Sequence, residues 1–390
     1  MKTAAIVAEF NPFHNGHKYL IEKAHELGFH STVAVISGNW VQRGDSAIIS
    51  KFARAKQALS CGVDLVVELP TYWAMATAQK FAKGAVDIIA NLSVDAIIFG
   101  SECGDIKRIM QTVYALRSAE FRSVLRSLLD SGMTLAAARA EAVDRICGNG
   151  DLLRNPNDTL ALEYISAAKD LDLNLEFIAV KRVGVEHDSS SSANNFCSAS
   201  KIRATLLKGD LLGVARFMPK PAFNILKEEY DSGRISDLSK FEKTILTVLR
   251  ATPKEEYQAL PDLSEGIENR LYNAARMCSD FDELLDFTAT KRYTNARLRR
   301  LILSAFLRTR KSDIPDTVPY IRVLGSNENG NEILKKARGS STLPIVMRST
   351  SLKDDNCFKF EERSTDIYSL TFNSPAPCGE EFTNGVITEK

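Results

Sequence analysis

Four short apolar runs punctuate the first hundred residues: TAAIVAE (3–9), TVAVIS (32–37), DLVVELP (64–70) and DAIIFG (95–100). Each is rich in β-branched residues, and helix-like stretches lie between them at about 17–28, 50–61 and 73–91. A strand that is apolar along its length, without alternation, is one buried on both faces. Such strands, separated by helices, predict βαβ units and a parallel sheet covered on each side. A sheet of this kind binds its ligands beyond the carboxyl ends of its strands.

The rest of the chain is predicted mostly helical. Residues 105–172 read as helix, and LEFIAVKRV (175–183) reads as a strand that rejoins the sheet. The Ser- and Asn-rich stretch 184–200 leads into a helix that starts near Ser198 or Ser200. Beyond about 235, helices are predicted at 237–251, 265–278, 281–289 and 294–310, with weaker strands at 319–324 and 343–347. At 390 residues two domains are expected, with the boundary between 215 and 240. We place an α/β catalytic unit at 1–225 and a mostly helical unit at 226–390, ending in a loose tail after Pro375.

Hydrophobic and charged shares of 44% and 25% are those of a globular chain, and 50 basic against 49 acidic residues leave a net charge of +1, so only local charge can point to nucleic acid. The seven cysteines include no CxxC pair, which predicts reduced thiols rather than a disulfide framework. No apolar run approaches 18 residues, and the N-terminal one is too short for a signal peptide, so a cytoplasmic protein with no membrane contact is expected.

The first strand runs straight into Phe10-Asn11-Pro12-Phe13-His14-Asn15-Gly16-His17, after which Lys18-Tyr19-Leu20 opens a helix. HNGH therefore falls on a strand-to-helix turn, where free backbone N–H groups and the helix dipole favour phosphate. Gly16 removes a side chain between the two imidazoles and lets both enter one pocket. There they would donate hydrogen bonds to the oxygens of an α-phosphate, where charge builds up in the transition state. The alternatives are surface histidines or part of a metal site, for which Glu9 is one further candidate ligand; no metal site is assigned.

Strand, HNGH and helix resemble the HxGH signature of the nucleotidylyltransferase superfamily, which implies a Rossmann-like sheet and adenylate chemistry. Ser198-Ala199-Ser200-Lys201-Ile202-Arg203 is similar to the second superfamily motif. That match implies phosphate contacts from Ser198, Ser200 and Arg203, although an N-capped helix with a solvated arginine fits the same residues. Longer strings, VAEFNPFHNGHKYL (7–20), SGNWVQRGDSAIISKFARAKQAL (37–59), GVDLVVELP (62–70), IIFGSE (97–102), NPNDTLALEY (155–164) and EGIENRL (265–271), resemble the tRNA(Met) cytidine acetate ligase family over most of the chain.

This resemblance implies an enzyme that joins acetate to ATP as acetyl-adenylate. It then passes the acetyl group to N4 of the wobble cytidine of elongator tRNA(Met). ATP is implied as substrate with Mg2+ held mainly through its phosphates, and no stable protein partner is expected. Catalysis falls to His14, His17, Ser198, Ser200 and Arg203. The ATP site falls to Val7, Ala8, Glu9, Phe10, Asn11, Pro12, Phe13, His14, Asn15, Gly16, His17, Lys18, Tyr19 and Leu20, with Gly100, Asn157 and Arg182. Read without the family, Gly100 is a strand-ending turn, Asn157 a helix cap and Arg182 a surface charge.

Two further groups stay open. Gln42, Arg43, Asp45 and Lys51 follow the second strand and either orient acetate or the target base or form a polar loop. The run KRYTNARLRRLILSAFLRTRK (291–311) has eight Lys or Arg and no acidic residue, with apolar positions at helical spacing. Lys291, Arg292, Arg297, Arg299 and Arg300 on its charged face form either a solvated basic helix or a surface for the RNA backbone. The rival activity is an adenylyltransferase that leaves AMP on a small phosphorylated cofactor. A non-enzymatic ATP-sensing RNA-binding module is a third reading.

Overall fold

The computed structural model describes residues 2–182, 195–264, 266–290 and 293–389. Its strands are β1 (Thr3–Ala8), β2 (Ser31–Ser37), β3 (Trp40–Val41), β4 (Asp45–Ser46), β5 (Leu65–Leu69), β6 (Ala96–Ser101), β7 (Glu176–Lys181), β8 (Ile321–Ser326), β9 (Ile345–Val346) and β10 (Ile387–Thr388). The main sheet runs β10-β8-β5-β2-β1-β6-β7, with β9 added beside β8. Its centre, β5-β2-β1-β6-β7, is parallel throughout. Strand order reverses between β1 and β6, so the carboxyl end of β1 opens onto the crevice where sheets of this kind bind nucleotides.

Alternate residues of these strands serve opposite faces. Ala4, Ile6, Ala34, Ile36, Val66 and Ile98 pack on one side with Ile21, Ala24, Phe52, Ala55 and Ala58 from the helices Asn15–Glu26 and Lys51–Leu59. Ala5, Val33, Val35, Val67, Ile97 and Phe99 pack on the other with Phe81, Val86, Ala161 and Ile165 from Ala78–Ala90 and Pro156–Asp170. Two-sided burial is why these strands carry no polar alternation. No described helix is long and apolar enough to cross a membrane.

The helices predicted beyond residue 235 appear at Glu242–Ala251, Ile267–Met277, Phe281–Thr288 and Asn295–Phe306. The sheet, however, crosses the boundary drawn at 225. β8 pairs antiparallel with β5, and β10 runs parallel to β8, so residues from the C-terminal half extend the N-terminal sheet.

The stretch after Pro375 is not loose. Glu381 is fully buried, and its Oε1 lies 2.5 Å from the Lys51 ammonium, which is itself 2.5 Å from Glu68. Arg322 of β8 completes the cluster against Glu381 and, at 3.7 Å, Glu68. Burial alone would raise the Glu381 carboxyl, but Lys51 and Arg322 hold it down at about 2. Neighbouring Glu361 accepts from the Thr71 backbone and hydroxyl; burial and then the charge of Glu68 push it up to about 8. A buried charge is tolerated only when paired, and Glu381 gives Lys51 and Arg322 that partner.

Candidate active site

After β1 the chain passes Glu9, takes Phe10 through φ 47°, crosses a cis Asn11–Pro12 bond and enters the helix Asn15–Glu26 at His14. His14 is its N-cap. The His14 Nδ1 accepts from the Gly16 N–H at 3.0 Å, while His17 Nδ1 accepts from the His14 N–H at 3.2 Å. This is a reciprocal capping box built from two imidazoles in place of the usual hydroxyl and carboxylate. A Cβ at Gly16 would come within 2.9 Å of the His14 ring, so glycine is needed there.

The two rings stack with centroids 3.7 Å apart and planes 20° from parallel. Phe10 and Phe13, both buried, wall His17 edge-on at 4.8 Å and at a tilt at 5.5 Å. Burial drops the His14 pKa to about 3, with Arg182 and Arg203 adding to the fall; His17 is lowered well below its ordinary value by burial and then by His14 and Arg182. Both rings are therefore neutral at pH 7. Because each Nδ1 accepts a backbone N–H, the single proton of each ring sits on Nε2, and the turn offers two Nε2–H donors that cost no positive charge.

The second motif is folded against the first. Ser198 caps the helix Ala199–Leu207 by accepting from Lys201 N, and Arg203 from that helix donates Nη1 to the Asn11 carbonyl at 2.8 Å and Nη2 to Ser200 Oγ at 3.4 Å. Asn15 joins the pieces by donating to the carbonyls of Asn195 and Arg216. Asn11 accepts from Ile48 N, yet its buried Nδ2 has no partner among the described residues. Not every residue of 7–20 turns toward this corner. Val7, Ala8 and Leu20 pack on the cores, Lys18 reaches the Cys61 carbonyl, and Tyr19 meets Phe196 edge-on.

At the end of β6, a Cβ on Gly100 would meet only the Arg182 side chain among the described residues, at an ordinary 3.5 Å, so their packing does not require glycine there. Arg182 is felt by both histidines, which puts it on their side of the crevice. Asn157 has a structural role, since its backbone and side chain both donate to Glu102, whose other oxygen accepts from Asp158 N. Glu102 thus caps the helix Pro156–Asp170, and Asn155, the cap residue by position, makes no side-chain cap. Asp158, fully buried, accepts from Ser101, Glu102 and Cys103 and fixes the end of β6.

The loop after β2 divides the residues left open there. Gln42 N donates to Glu9 Oε1 at 3.1 Å. Arg43 and Arg203 face the same carboxylate, whose pKa burial raises against their pull. Asp45 is also raised by burial, opposed first by Arg299, which lies 3.5 Å away. Lys51 belongs elsewhere, sealed into the cluster with Glu68 and Glu381 with no exposure at all, and is out of reach of a ligand.

One residue at this corner has no counterpart among the sequence expectations. Arg54, completely buried, donates to the carbonyls of Glu9, Ser37, Gly38 and Ile49 and so knots the ends of β1 and β2 together. Its only trace in sequence is a guanidinium set between Ala53 and Ala55.

The basic helix requires a correction. Lys291 and Arg292 lie outside the described residues. Arg297 donates to the Asp262 carbonyl and Ser264, Arg299 to the Gly44 carbonyl, and Arg300 to the Gln42 carbonyl. These three arginines do not form an open charged face, because guanidinium groups carry enough donors to bridge carbonyls where two parts of the chain meet. Among the described residues of the run, the open basic ones are Arg308, Arg310 and Lys311.

Residues 1–381 match the family model described as HIGH Nucleotidyl Transferase. The tRNA(Met) cytidine acetate ligase of Thermoanaerobacter sp. (strain X514) is 35% identical, covering 99% of this chain and 100% of its own. That of Clostridium kluyveri (strain NBRC 12016) is 36% identical over the whole of both. This chain belongs to that family. A crystal structure of Thermotoga maritima TmcAL bound with alpha-thio ATP superposes with a TM-score of 0.91 at 33% identity over both full chains, and the apo form does so at 0.92. The likeness to that fold runs over the full length of both chains.

Proposed function

We propose that this protein is an ATP-dependent ligase that forms acetyl-adenylate and transfers the acetyl group to N4 of the wobble cytidine of elongator tRNA(Met), giving N4-acetylcytidine. The reciprocal histidine cap carries this reading. It holds two neutral imidazoles at the carboxyl end of β1 with their Nε2–H groups as the free donors. A pair of neutral donors strengthens its bonds as charge grows on the α-phosphate oxygens and does not trap the product as a fixed cation would.

In the first step an acetate oxygen attacks the α-phosphorus, a P–O bond forms, and the bond to pyrophosphate breaks with both electrons leaving on pyrophosphate. His14 and His17 donate to the α-phosphate oxygens. Arg203, Ser198 and Ser200 at the start of the second motif's helix receive the outer phosphates. Arg182 holds the nucleotide on the β6 side, where Gly100 leaves room for close approach, and the unpartnered Nδ2 of Asn11 is a further donor to it. In the second step the cytidine amine attacks the acetyl carbon, AMP leaves, and N4 gives up one proton.

Mg2+ fits as a companion of the phosphates. The nearby carboxylates, Glu9 and Asp45, are faced by Arg43, Arg203 and Arg299, and among the described residues no group of three His, Cys, Asp or Glu side chains is placed to hold a metal ion. The C-terminal half receives the tRNA, with Arg308, Arg310 and Lys311 joining Lys291 and Arg292 as candidates for its backbone, and the reaction takes place in the cytoplasm.

The test is acetate-dependent ATP turnover by the purified protein with and without elongator tRNA(Met), followed by nucleoside mass analysis of the RNA. AMP, pyrophosphate and an acetylated cytidine are expected. An unmodified tRNA together with a stable dinucleotide product would reassign the protein as an adenylyltransferase for a small phosphorylated cofactor.

A further inference from the structure

The helix Asn295–Phe306 is docked on the loop that lies against the adenylation corner, and the contact is specific. Arg300 Nη1 donates to the Gln42 carbonyl at 3.0 Å, while the Gln42 N–H donates to Glu9 Oε1 at 3.1 Å. Arg299 Nε donates to the Gly44 carbonyl at 3.1 Å, and its guanidinium lies 3.5 Å from Asp45. Gly44 itself has φ +70°, and a Cβ there would stand 2.5 Å from Arg300 N. Only a glycine lets the tip of the loop rest on the helix. Arg300 is largely buried and Arg299 partly so, which suits interior contacts better than a surface offered to RNA.

We propose that Arg299 and Arg300 are positioning residues for adenylate formation. They clamp the loop and, through Gln42, hold the Glu9 carboxylate among the charges of Arg43, Arg203 and Arg54, so that the helical half of the chain helps set the electrostatic surroundings of the phosphate-binding guanidinium. The clamp rests on the ligase reading above and gives these arginines a role separate from RNA affinity. Glu9 is faced by Arg43 from the loop, Arg54 from the helix Lys51–Leu59, Arg203 from Ala199–Leu207 and Tyr164 from Pro156–Asp170. The Gln42 N–H favours its charged form, so loosening that bond moves protonation of Glu9 to higher pH.

The experiment is acetate-dependent exchange of labelled pyrophosphate into ATP by the full chain with no RNA present. Arg299→Met and Arg300→Met are expected to lose roughly tenfold to a hundredfold in kcat, the size that follows from misplacing a group by about an ångström. KM for ATP should stay within about twofold, and the acid limb of the pH profile should shift upward. Arg300→Lys, which keeps one donor, should recover part of the exchange. Gly44→Ala, which removes no charge, should reproduce the loss in a protein whose circular dichroism is unchanged. Folded variants with full RNA-free exchange and weakened tRNA affinity would overturn the clamp and return the arginines to the phosphate backbone. Wild-type protein inert with acetate would overturn the ligase reading, and with it the clamp as a device for making adenylate.

Discussion

The histidine turn and the buried charge cluster both support the ends of the central strands, and they are built in opposite ways. The turn is made within four residues, His14 to His17, by bonds between near neighbours. The cluster draws Lys51 and Glu68 from one half of the chain and Arg322, Glu361 and Glu381 from the other. The first depends on a local backbone conformation and survives changes elsewhere. The second depends on the whole fold being closed, and each member is costly without its partners.

The largest effect expected from breaking that contrast is at Glu381. Glu381→Ala leaves Lys51 and Arg322 short of a buried counter-charge and should cost about 3–5 kcal/mol of stability, read from urea unfolding. An unchanged midpoint would mean the cluster does not hold the tail. At the turn the effect should be kinetic. His17→Ala should lower the rate of adenylate formation by roughly 10²–10³, the cost of one donor lost from a charge-stabilising site, with tRNA affinity largely kept.

His14→Asn sharpens the comparison, because asparagine is a good N-cap: thermal stability should hold while adenylate formation falls as it does at His17. Full activity in that variant would show the ring to be a cap alone. The cluster should respond to pH. Folded Glu361 keeps its proton up to about 8 and unfolded Glu361 releases it in the ordinary carboxyl range, so the native state binds more protons between those values. Stability should therefore fall as pH rises through that window, and Glu361→Gln should flatten the dependence of Tm on pH. The smallest effect on stability is at Ser198, where alanine removes a cap worth about 1 kcal/mol and loosens the helix carrying Arg203, together with the proposed contact to the outer phosphates.

What could be read from the chain follows the same division. β1, β2, β5 and β6 are mostly apolar runs whose burial on both faces leaves its mark along the strand, β7 at the sheet edge keeps only a short apolar centre between Glu176 and Lys181, and the HNGH turn is legible because its signal is contained in four positions. β8 and β10 are not legible as members of that sheet, since pairing with β5 is a long-range event that leaves no local pattern. Arg299 and Arg300 fail for a related reason. A basic helix facing water and one facing carbonyls of a distant loop have the same sequence, and only the position of Gly44 beneath the helix tells them apart. Lys51 looks like a loop-end charge until Glu381 is brought to it across the fold.

That dependence on distant residues has a consequence for synthesis. The histidine turn is complete as soon as the helix Asn15–Glu26 forms, early in translation. The Lys51 ammonium, by contrast, waits for Glu381 to leave the ribosome before it meets its second carboxylate. A nascent chain would thus complete its histidine turn long before the buried charges under the sheet are fully paired.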